Sequence, residues 1–242
     1  MGIDAVSKAL KIKIFMDGAD IEPMKAAHKA GTVKGFTTNP TLMRKSGITD
    51  YAAFAKAAIA AIPDLPISFE VFSDDFASME AEARVIASWG GDTFVKIPIS
   101  NTKGESAVPL IRKLSAEGFS LNVTAMMTLK QVKDVAAAVS PNSRTIVSVF
   151  AGRVADAGVD PVPLMRQCKA ALAGLPKAEL LWASPREVLN LVQAEEIGCD
   201  IITITSDILA KVPTIGKDLD QFSLDTVKMF YNDAKAAGFK LI

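Results

Sequence analysis

The sequence predicts an α/β fold, namely a single-domain (β/α)8 TIM barrel over residues 1–242, with residues 212–242 as a C-terminal helical extension. Short β-branched segments alternate with longer amphipathic segments along the chain, and eight such βα units can be counted. A length of 242 residues, half of them apolar, suits one barrel core. We find no linker or low-complexity segment that would divide the chain.

The eight predicted strands share enrichment in β-branched and aromatic residues. In chain order they are KIKIFMD, VKGFTT, PISFEVF, DTFVKIPI, FSLNVTA, RTIVSVF, ELLWAS and DIITIT. The segments between them have helical spacing. In FASMEAEARVIASW, for example, apolar residues recur every three or four positions and form one face, which predicts an amphipathic helix.

Capping patterns predict several helix ends. Thr128 with Gln131, and Ser184 with Glu187, fit capping boxes, and Pro185 suits the first position of a helix. Three glycines follow helical patterns as C-terminal caps would, namely Gly118, Gly174 and Gly198. The tail SLDTVKMFYNDAKAAGFKLI is expected to form a further helix that covers the barrel bottom or docks on a neighbour.

Composition excludes several classes of function. Lys+Arg and Asp+Glu both number 27, so the chain has no excess basic field for nucleic acid. No apolar run approaches the roughly 20 residues of a membrane helix, and the N-terminus lacks the apolar core of a signal peptide. Cys168 and Cys199 form no CxxC pair, which fits a reducing cytoplasm. With His28 as the only histidine, a His-rich zinc site or a Ser-His-Asp triad is not expected.

Several strands carry polar residues on the face predicted to point into the barrel. In DTFVKIPI, Val95 and Ile97 share the outward face, which leaves Lys96 inside. Polar inward residues near strand ends are unusual in a packed barrel. The same alternation gives an inward set that consists of Asp17, Glu70, Lys96, Asn122 and Thr124.

Lys96 lies in mid-strand among apolar neighbours, and burial disfavours its charged ammonium form. A neutral amine attacks a ketone to give an imine, and the protonated imine lets a neighbouring C–C bond break without metal or cofactor. Asp17 and Glu70 are then suitable proton carriers. The alternative is that Lys96 forms a buried structural ion pair with Glu70 or Asp17, and patterning alone leaves both readings open.

Five segments at predicted strand ends resemble the transaldolase family, in chain order and at suitable spacing. They are MDGAD at 16–20, GFTTNPTL at 35–42, FVKIP at 94–98, NVTA at 122–125 and SVFAGR at 148–153. The resemblance implies that Lys96 forms the imine, that Asp17 is the acid/base at the cleaved bond, and that Glu70 with Thr124 positions the catalytic water. It also implies a homo-oligomer and a place in carbohydrate metabolism such as the pentose phosphate pathway.

By the same resemblance, four residues hold the donor hydroxyls: Thr37, Asn39, Asn122 and Ser148. Simpler alternatives exist for two positions, because the TTNP segment is compatible with a plain strand exit before Pro40, and Thr124 with an ordinary barrel filler.

The resemblance places the anionic end of a sugar phosphate near Arg153, Ser184 and Arg186, after strands six and seven. Guanidinium groups suit phosphate oxygens, and a helix that begins at Ser184 would add free amides. The alternative is that Ser184 only caps that helix and Arg186 is a solvated charge. The segment WASPRE departs from the family pattern by being short and by introducing Trp182, as do Gly18 and Val149 elsewhere, so we expect a changed pocket lining.

Two further positions favour transfer of the dihydroxyacetone unit over its release. Family members that release free dihydroxyacetone typically have Gln at the Glu70 position and Tyr at the Phe150 position. This chain therefore resembles a transaldolase more than a fructose-6-phosphate aldolase, which is the runner-up. A barrel that binds a sugar phosphate without turning it over is a further alternative. A deoxyribose-phosphate-type lyase has its lysine on strand six, where RTIVSVF has none.

Overall fold

The structure is a computed structural model that describes residues 10–241. Eight parallel strands close a barrel in chain order, from β1 to β8, and β8 pairs with β1. Helices alternate with the strands, and a further helix follows the last βα unit. The (β/α)8 barrel with an extra C-terminal helix is therefore confirmed. The strands are β1 (Lys13–Asp17), β2 (Phe36–Thr37), β3 (Ile67–Glu70), β4 (Thr93–Pro98), β5 (Leu121–Met126), β6 (Thr145–Val149), β7 (Ala178–Trp182) and β8 (Ile201–Ile204).

Some strands are followed by more than one helical segment. The helices are α1 (Ile21–Ala30), α2 (Pro40–Lys45), α3 (Tyr51–Ala61), α4 (Phe76–Ala87), α5 (Val108–Ala116), α6 (Leu129–Ala136), α7 (Ala151–Asp156), α8 (Pro161–Ala171), α9 (Leu189–Glu196), α10 (Ser206–Leu209) and α11 (Leu219–Ala236). A short 3-10 helix, Val212–Thr214, precedes α11.

The strands place apolar side chains on both of their faces. Outward residues such as Ile14, Val95 and Val147 pack against the helices in the main core. A smaller cluster fills the barrel interior and includes Phe15 and Phe94. Each of these two lies two residues before a polar inward residue of the same strand, so the apolar cluster lies below the polar layer. The barrel is thus filled at its N-terminal end and polar at its C-terminal end.

The capping predictions have mixed outcomes. The capping box of Thr128 and Gln131 at the start of α6 is confirmed, as are Gly118 and Gly198, which follow α5 and α9 with φ of 86° and 70°. Gly174 was wrongly predicted as a C-cap, because α8 ends at Ala171 and Leu172 takes the C-cap position in a right-handed conformation. The third glycine therefore lies beyond the helix end.

No helix was found at Ser184–Glu187, so the predicted capping box and the N1 position of Pro185 are wrong. Ser184 has a φ of 55°, outside the extended conformation of an N-cap, and α9 begins only at Leu189. The Asn190 side chain instead accepts hydrogen bonds from the backbone N–H groups of Arg186 and Glu187 at 2.8 and 3.2 Å. An irregular loop therefore leads from β7 to α9.

Helix α11 extends from the barrel without burying any of its own side chains. Its large apolar residues Val227, Phe230 and Tyr231 are each about 60% or more exposed. It therefore does not cover the barrel bottom within this chain. Of the helices among residues 10–241, none combines the length and hydropathy needed to cross a membrane. Cys168 and Cys199 are buried and unbonded to each other.

Candidate active site

A cavity of about 470 Å³ opens at the C-terminal ends of the strands. In a (β/α)8 barrel this end is where ligand and catalytic sites are found. Eleven of the twelve residues predicted for the site line this cavity, and the twelfth, Asn122, is buried directly beneath it. The eleven are Asp17, Thr37, Asn39, Glu70, Lys96, Thr124, Ser148, Phe150, Arg153, Ser184 and Arg186.

Lys96 lies on β4 at the floor of the cavity and is only 6% exposed. Its amine donates a hydrogen bond to the backbone carbonyl of Thr38 at 3.0 Å and contacts the Glu70 carboxylate at 3.1 Å. Glu70 is the register partner of Lys96 on the neighbouring strand, which fixes the two side chains on the same inward face. The pairing that we considered from the sequence is therefore present, and it is with Glu70.

Asp17 ends β1 and lines the same cavity as Lys96. One carboxylate oxygen accepts a hydrogen bond from the Thr37 hydroxyl at 2.8 Å, and the other lies 3.5 Å from the Asn39 amide nitrogen. Burial raises the pKa of Asp17 above its ordinary value, and it outweighs the opposing effects of the Lys96 charge and the Thr37 hydrogen bond. A carboxyl group that holds its proton more tightly than usual is suited to acid/base chemistry near neutral pH.

The TTNP segment does more than end a strand. The Asn39 side-chain oxygen accepts a hydrogen bond from the Leu42 backbone N–H at 3.0 Å and so caps α2, which begins with Pro40. Its amide nitrogen remains directed toward Asp17. One side chain therefore joins the start of a helix to the carboxylate at the cavity floor.

Asn122 is fully buried on β5, and its amide is held from both sides. Its nitrogen donates to the Ser68 hydroxyl at 2.9 Å, and its oxygen accepts from the Ser148 hydroxyl at 2.7 Å. This chain of hydrogen bonds links β3, β5 and β6 beneath Lys96. It explains how a buried amide is satisfied, and it fixes the orientation of Ser148 at the cavity wall.

Thr124 is buried, and its hydroxyl oxygen has no hydrogen-bond partner among residues 10–241. The next residue, Ala125, has a φ of 62°, and the register between β5 and β6 shifts between Val123 and Met126. Such a bulge redirects a side chain at the price of backbone strain. A buried hydroxyl that lines a cavity without such a partner can bind a water or a ligand.

The residues predicted to hold an anionic group surround the cavity mouth. Arg153 follows β6, with its guanidinium carbon 5.8 Å from the centre of the Phe150 ring. Arg186 is about half exposed and pairs through two nitrogens with Asp156, with an Nε–Oδ1 distance of 2.9 Å. Trp182 is completely buried in the outward core, so it does not contribute to the cavity lining. Strand alternation explains this position, because Leu181 and Ala183 face inward.

Gly152 is a residue of this site that the sequence analysis did not identify. Its backbone N–H donates to the Ala183 carbonyl at 3.3 Å, and a Cβ at this position would lie 1.5 Å from the Ser184 carbonyl oxygen. Only glycine permits this approach of the β6–α7 turn to the loop after β7. The contact places Ser184, with its positive φ, at the cavity mouth.

We expect Gly152→Ala to displace the Ser184 loop, because the added Cβ would lie 1.5 Å from the Ser184 carbonyl oxygen, which is a backbone atom. The free energy of unfolding should fall by at least about 2 kcal/mol, and the KM for an anionic ligand should rise. Denaturant unfolding and substrate titration measure the two effects. Gly174→Ala is the matched control, since a Cβ there meets nothing within 4 Å. Equal effects of the two substitutions would contradict the proposed contact.

Tyr51, Thr203 and Lys45 also belong to the surroundings of the site without having been predicted. The Thr203 hydroxyl lies 2.6 Å from that of Thr37, and Lys45 lines the mouth. Thr203 could have been found by extending the inward alternation to DIITIT. The Tyr51 hydroxyl, in contrast, hydrogen-bonds the backbone of Glu70, and no sequence signal indicates this contact.

A larger and more open depression lies at the opposite end of the barrel. It is rich in cations, but Lys13 pairs with Glu179 and Lys169 with Asp200, so most of their charge is already compensated. Across residues 10–241 we find no group of three His, Cys, Asp or Glu side chains arranged to hold a metal ion. The cavity around Lys96 is therefore the site best equipped for chemistry in the described part of the chain.

Most of the chain is similar to known proteins of one family. The model of the transaldolase/fructose-6-phosphate aldolase family matches residues 14–241. A probable transaldolase from Dehalococcoides mccartyi is 34% identical over 202 residues, which cover 83% of this chain and 90% of that protein. Probable transaldolase 2 from Listeria monocytogenes is 35% identical over 219 residues, with coverages of 88% and 95%.

A solved structure extends the comparison to the fold. The crystal structure of KGPDC from Streptococcus mutans superposes with a TM-score of 0.56 and covers 82% of this chain and 90% of that chain. The sequence identity is 13%, so this similarity concerns the barrel alone.

Proposed function

Because this chain belongs to the transaldolase/fructose-6-phosphate aldolase family, we propose that it transfers a dihydroxyacetone unit from a ketose phosphate, or a related anionic ketose, to an aldehyde acceptor. Family membership makes it an aldolase-type enzyme. We further propose that the three-carbon unit is transferred to an acceptor and that the reaction proceeds through a covalent bond to Lys96. The observation that carries it is the buried Lys96 amine, which contacts the Glu70 carboxylate at 3.1 Å and lines the same cavity as the Asp17 carboxylate.

The proposed cycle begins when the Lys96 amine attacks the donor ketone. The carbinolamine loses water to give an iminium ion, with Glu70 and Thr124 placing the water and carrying its proton. Asp17 then takes the proton of the hydroxyl next to the bond that breaks, the electron pair moves into the iminium, and an aldehyde leaves. The remaining enamine attacks the acceptor aldehyde, Asp17 returns the proton to the new alkoxide, and water releases the product from Lys96.

The donor would lie along polar side chains that the cavity already presents. Thr37, Asn39, Asn122 and Ser148 are proposed to hold its hydroxyls, directly or through the hydrogen bonds described above. The anionic group is proposed to bind at Arg153, Ser184 and Arg186. For Arg186 this requires exchange of the Asp156 contact, or sharing of the guanidinium between the two anions.

Transfer is favoured over release by Phe150, which lines the cavity without a hydroxyl to protonate the enamine. The test is donor cleavage of fructose 6-phosphate with and without erythrose 4-phosphate. We expect fast turnover only when the acceptor is present. Rapid release of dihydroxyacetone without acceptor would instead identify a fructose-6-phosphate aldolase, and absence of any adduct or turnover would favour a binding protein.

Phe150→Tyr is expected to raise the release of free dihydroxyacetone, because the new phenol supplies a proton to the enamine. We expect an increase of about tenfold or more in the acceptor-independent rate. A coupled assay for dihydroxyacetone measures it. Phe239→Tyr is the control, since Phe239 is 78% exposed and does not line the cavity. An unchanged acceptor-independent rate in Phe150→Tyr would remove the reason to connect Phe150 with retention.

A homo-oligomer is also proposed. It is supported by the apolar side chains of α11, which are exposed in the described part of the chain. Light scattering of the purified protein tests it, and a monomer at micromolar concentration would contradict it.

A further inference from the structure

Tyr51 is the first residue of α3, and its hydroxyl contacts the backbone of Glu70 twice. It accepts a hydrogen bond from the Glu70 N–H at 2.7 Å and donates one to the Glu70 carbonyl at 3.1 Å. A phenol hydroxyl can donate one hydrogen bond and can also accept one, and here it uses both abilities on the same residue. The contact fixes the last residue of β3 at the point where its side chain enters the cavity.

The contact replaces a bond of the sheet. Between β2 and β3, Phe36 N–H bonds Pro66 O, and Thr38 N–H bonds Ser68 O. The next bond of a parallel ladder would run from the Glu70 N–H to the Thr38 carbonyl. Among the described residues the Thr38 carbonyl instead accepts from the Lys96 amine at 3.0 Å, and the Glu70 N–H is satisfied by Tyr51.

This exchange gives the buried Glu70 N–H at the cavity floor a hydrogen-bond acceptor of its own. A buried amide without a partner is costly, so the Glu70 N–H would otherwise bind the Thr38 carbonyl and share that oxygen with the Lys96 amine. By binding the amide, Tyr51 leaves the Thr38 carbonyl to Lys96. The carboxylate of the same Glu70 contacts the amine from the other side at 3.1 Å.

The Tyr51 ring is itself held in place by aromatic neighbours. It meets Phe72 and Trp89 edge-on at centroid distances of 4.4 and 5.6 Å, and Phe69 at 6.2 Å. Burial also raises the pKa of the Tyr51 phenol, so the hydroxyl keeps the proton that it donates. The hydroxyl is therefore a fixed and protonated group rather than a mobile one.

We propose that Tyr51 is a positioning residue for the reaction. Its hydroxyl binds the backbone of Glu70, so that the Thr38 carbonyl and the Glu70 carboxylate together orient the Lys96 amine. The inference rests on the proposed function, in which Lys96 forms the imine. It assigns to Tyr51 no contact with the substrate. Its effect is on the geometry of the amine and of the carboxylate that carries protons to it.

Tyr51→Phe tests the inference, because it removes the hydroxyl and keeps the ring. We expect kcat, per site counted by borohydride trapping of Lys96, to fall about ten- to hundredfold, while the KM for fructose 6-phosphate stays within about twofold. Tyr231→Phe is the matched control, since Tyr231 is the other tyrosine of the chain and lies exposed on α11. Counting active sites separates this effect from partial unfolding.

A second measurement does not depend on turnover. Reductive methylation of Lys96 with formaldehyde and borohydride, followed by mass mapping, should be at least about threefold faster in Tyr51→Phe, because the Glu70 N–H then shares the Thr38 carbonyl and weakens its hydrogen bond to the amine. If Tyr51→Phe matches the wild type in both measurements, Tyr51 is not a positioning residue. If the wild type forms no adduct with any ketose, the proposed function fails, and the methylation rates alone decide the role of Tyr51.

Discussion

Lys96→Met is expected to abolish the borohydride-dependent adduct with ketose phosphates and to lower donor cleavage by at least about 10,000-fold. The size of the effect follows from the chemistry, because the other lysine that lines the cavity, Lys45, is exposed at its mouth and not buried beside Glu70 as Lys96 is. Mass mapping of the wild-type adduct should locate it on Lys96. Incubation with fructose 6-phosphate and borohydride, followed by peptide mass spectrometry and a kinetic assay, measures both results.

Lys13→Met is the matched control for this experiment. Lys13 is also a strand lysine that pairs with a glutamate, Glu179, but it lies on β1 at the opposite end of the barrel. The control variant should keep the adduct and its turnover. An adduct that persists in Lys96→Met, or that maps to another lysine in the wild type, would show that the proposed mechanism is wrong.

The experiment also separates the two readings of the ion pair. A structural pair and a catalytic pair both predict a loss of stability in Lys96→Met, since Glu70 then keeps a largely buried charge without its partner. Stability data therefore cannot decide between them. Only the catalytic reading predicts a covalent product on the amine.

The layout of the site was predictable because it follows from strand alternation. A period of two along β4 puts Lys96 inward wherever Val95 and Ile97 pack outward, and parallel pairing brings Glu70 beside it. The same rule, applied to β1 and β5, gave Asp17, Asn122 and Thr124. These predictions needed only the face of each strand, not its exact length.

The connections between elements were less predictable because their partners are distant or unusual. The start of α9 was misplaced because Ser184 resembles a helix cap in sequence, whereas Asn190 binds the loop amides. The contact of Tyr51 with Glu70 joins two backbone groups to a hydroxyl 19 positions away, and no spacing rule indicates it. The close approach of Gly152 to Ser184 likewise depends on where two loops meet in space.

Asp17→Asn is expected to lower kcat by about 100- to 10,000-fold, because the amide cannot accept the proton of the donor hydroxyl. Imine formation on Lys96 should remain detectable by borohydride trapping, since Asp17 acts after it. Asp160→Asn is the control, as Asp160 caps α8 and does not line the cavity. A kcat of Asp17→Asn within tenfold of the wild-type value would contradict the proposed role of Asp17 at the cleaved bond.

The same substitution is expected to raise the melting temperature at pH 7.5. Burial raises the pKa of Asp17 above its ordinary value of 3.8, so the folded state binds this proton more tightly than the unfolded state does. The contribution of Asp17 to stability is therefore fully present below about pH 3.8 and is lost as the pH rises through the raised pKa. Asparagine carries no such charge, so the advantage of Asp17→Asn should disappear in acid. A lower melting temperature than wild type at pH 7.5 would mean that attraction to Lys96 outweighs the cost of burying the Asp17 charge. The expected rise would show that the fold tolerates a destabilising carboxylate at the position where the proposed reaction requires a base.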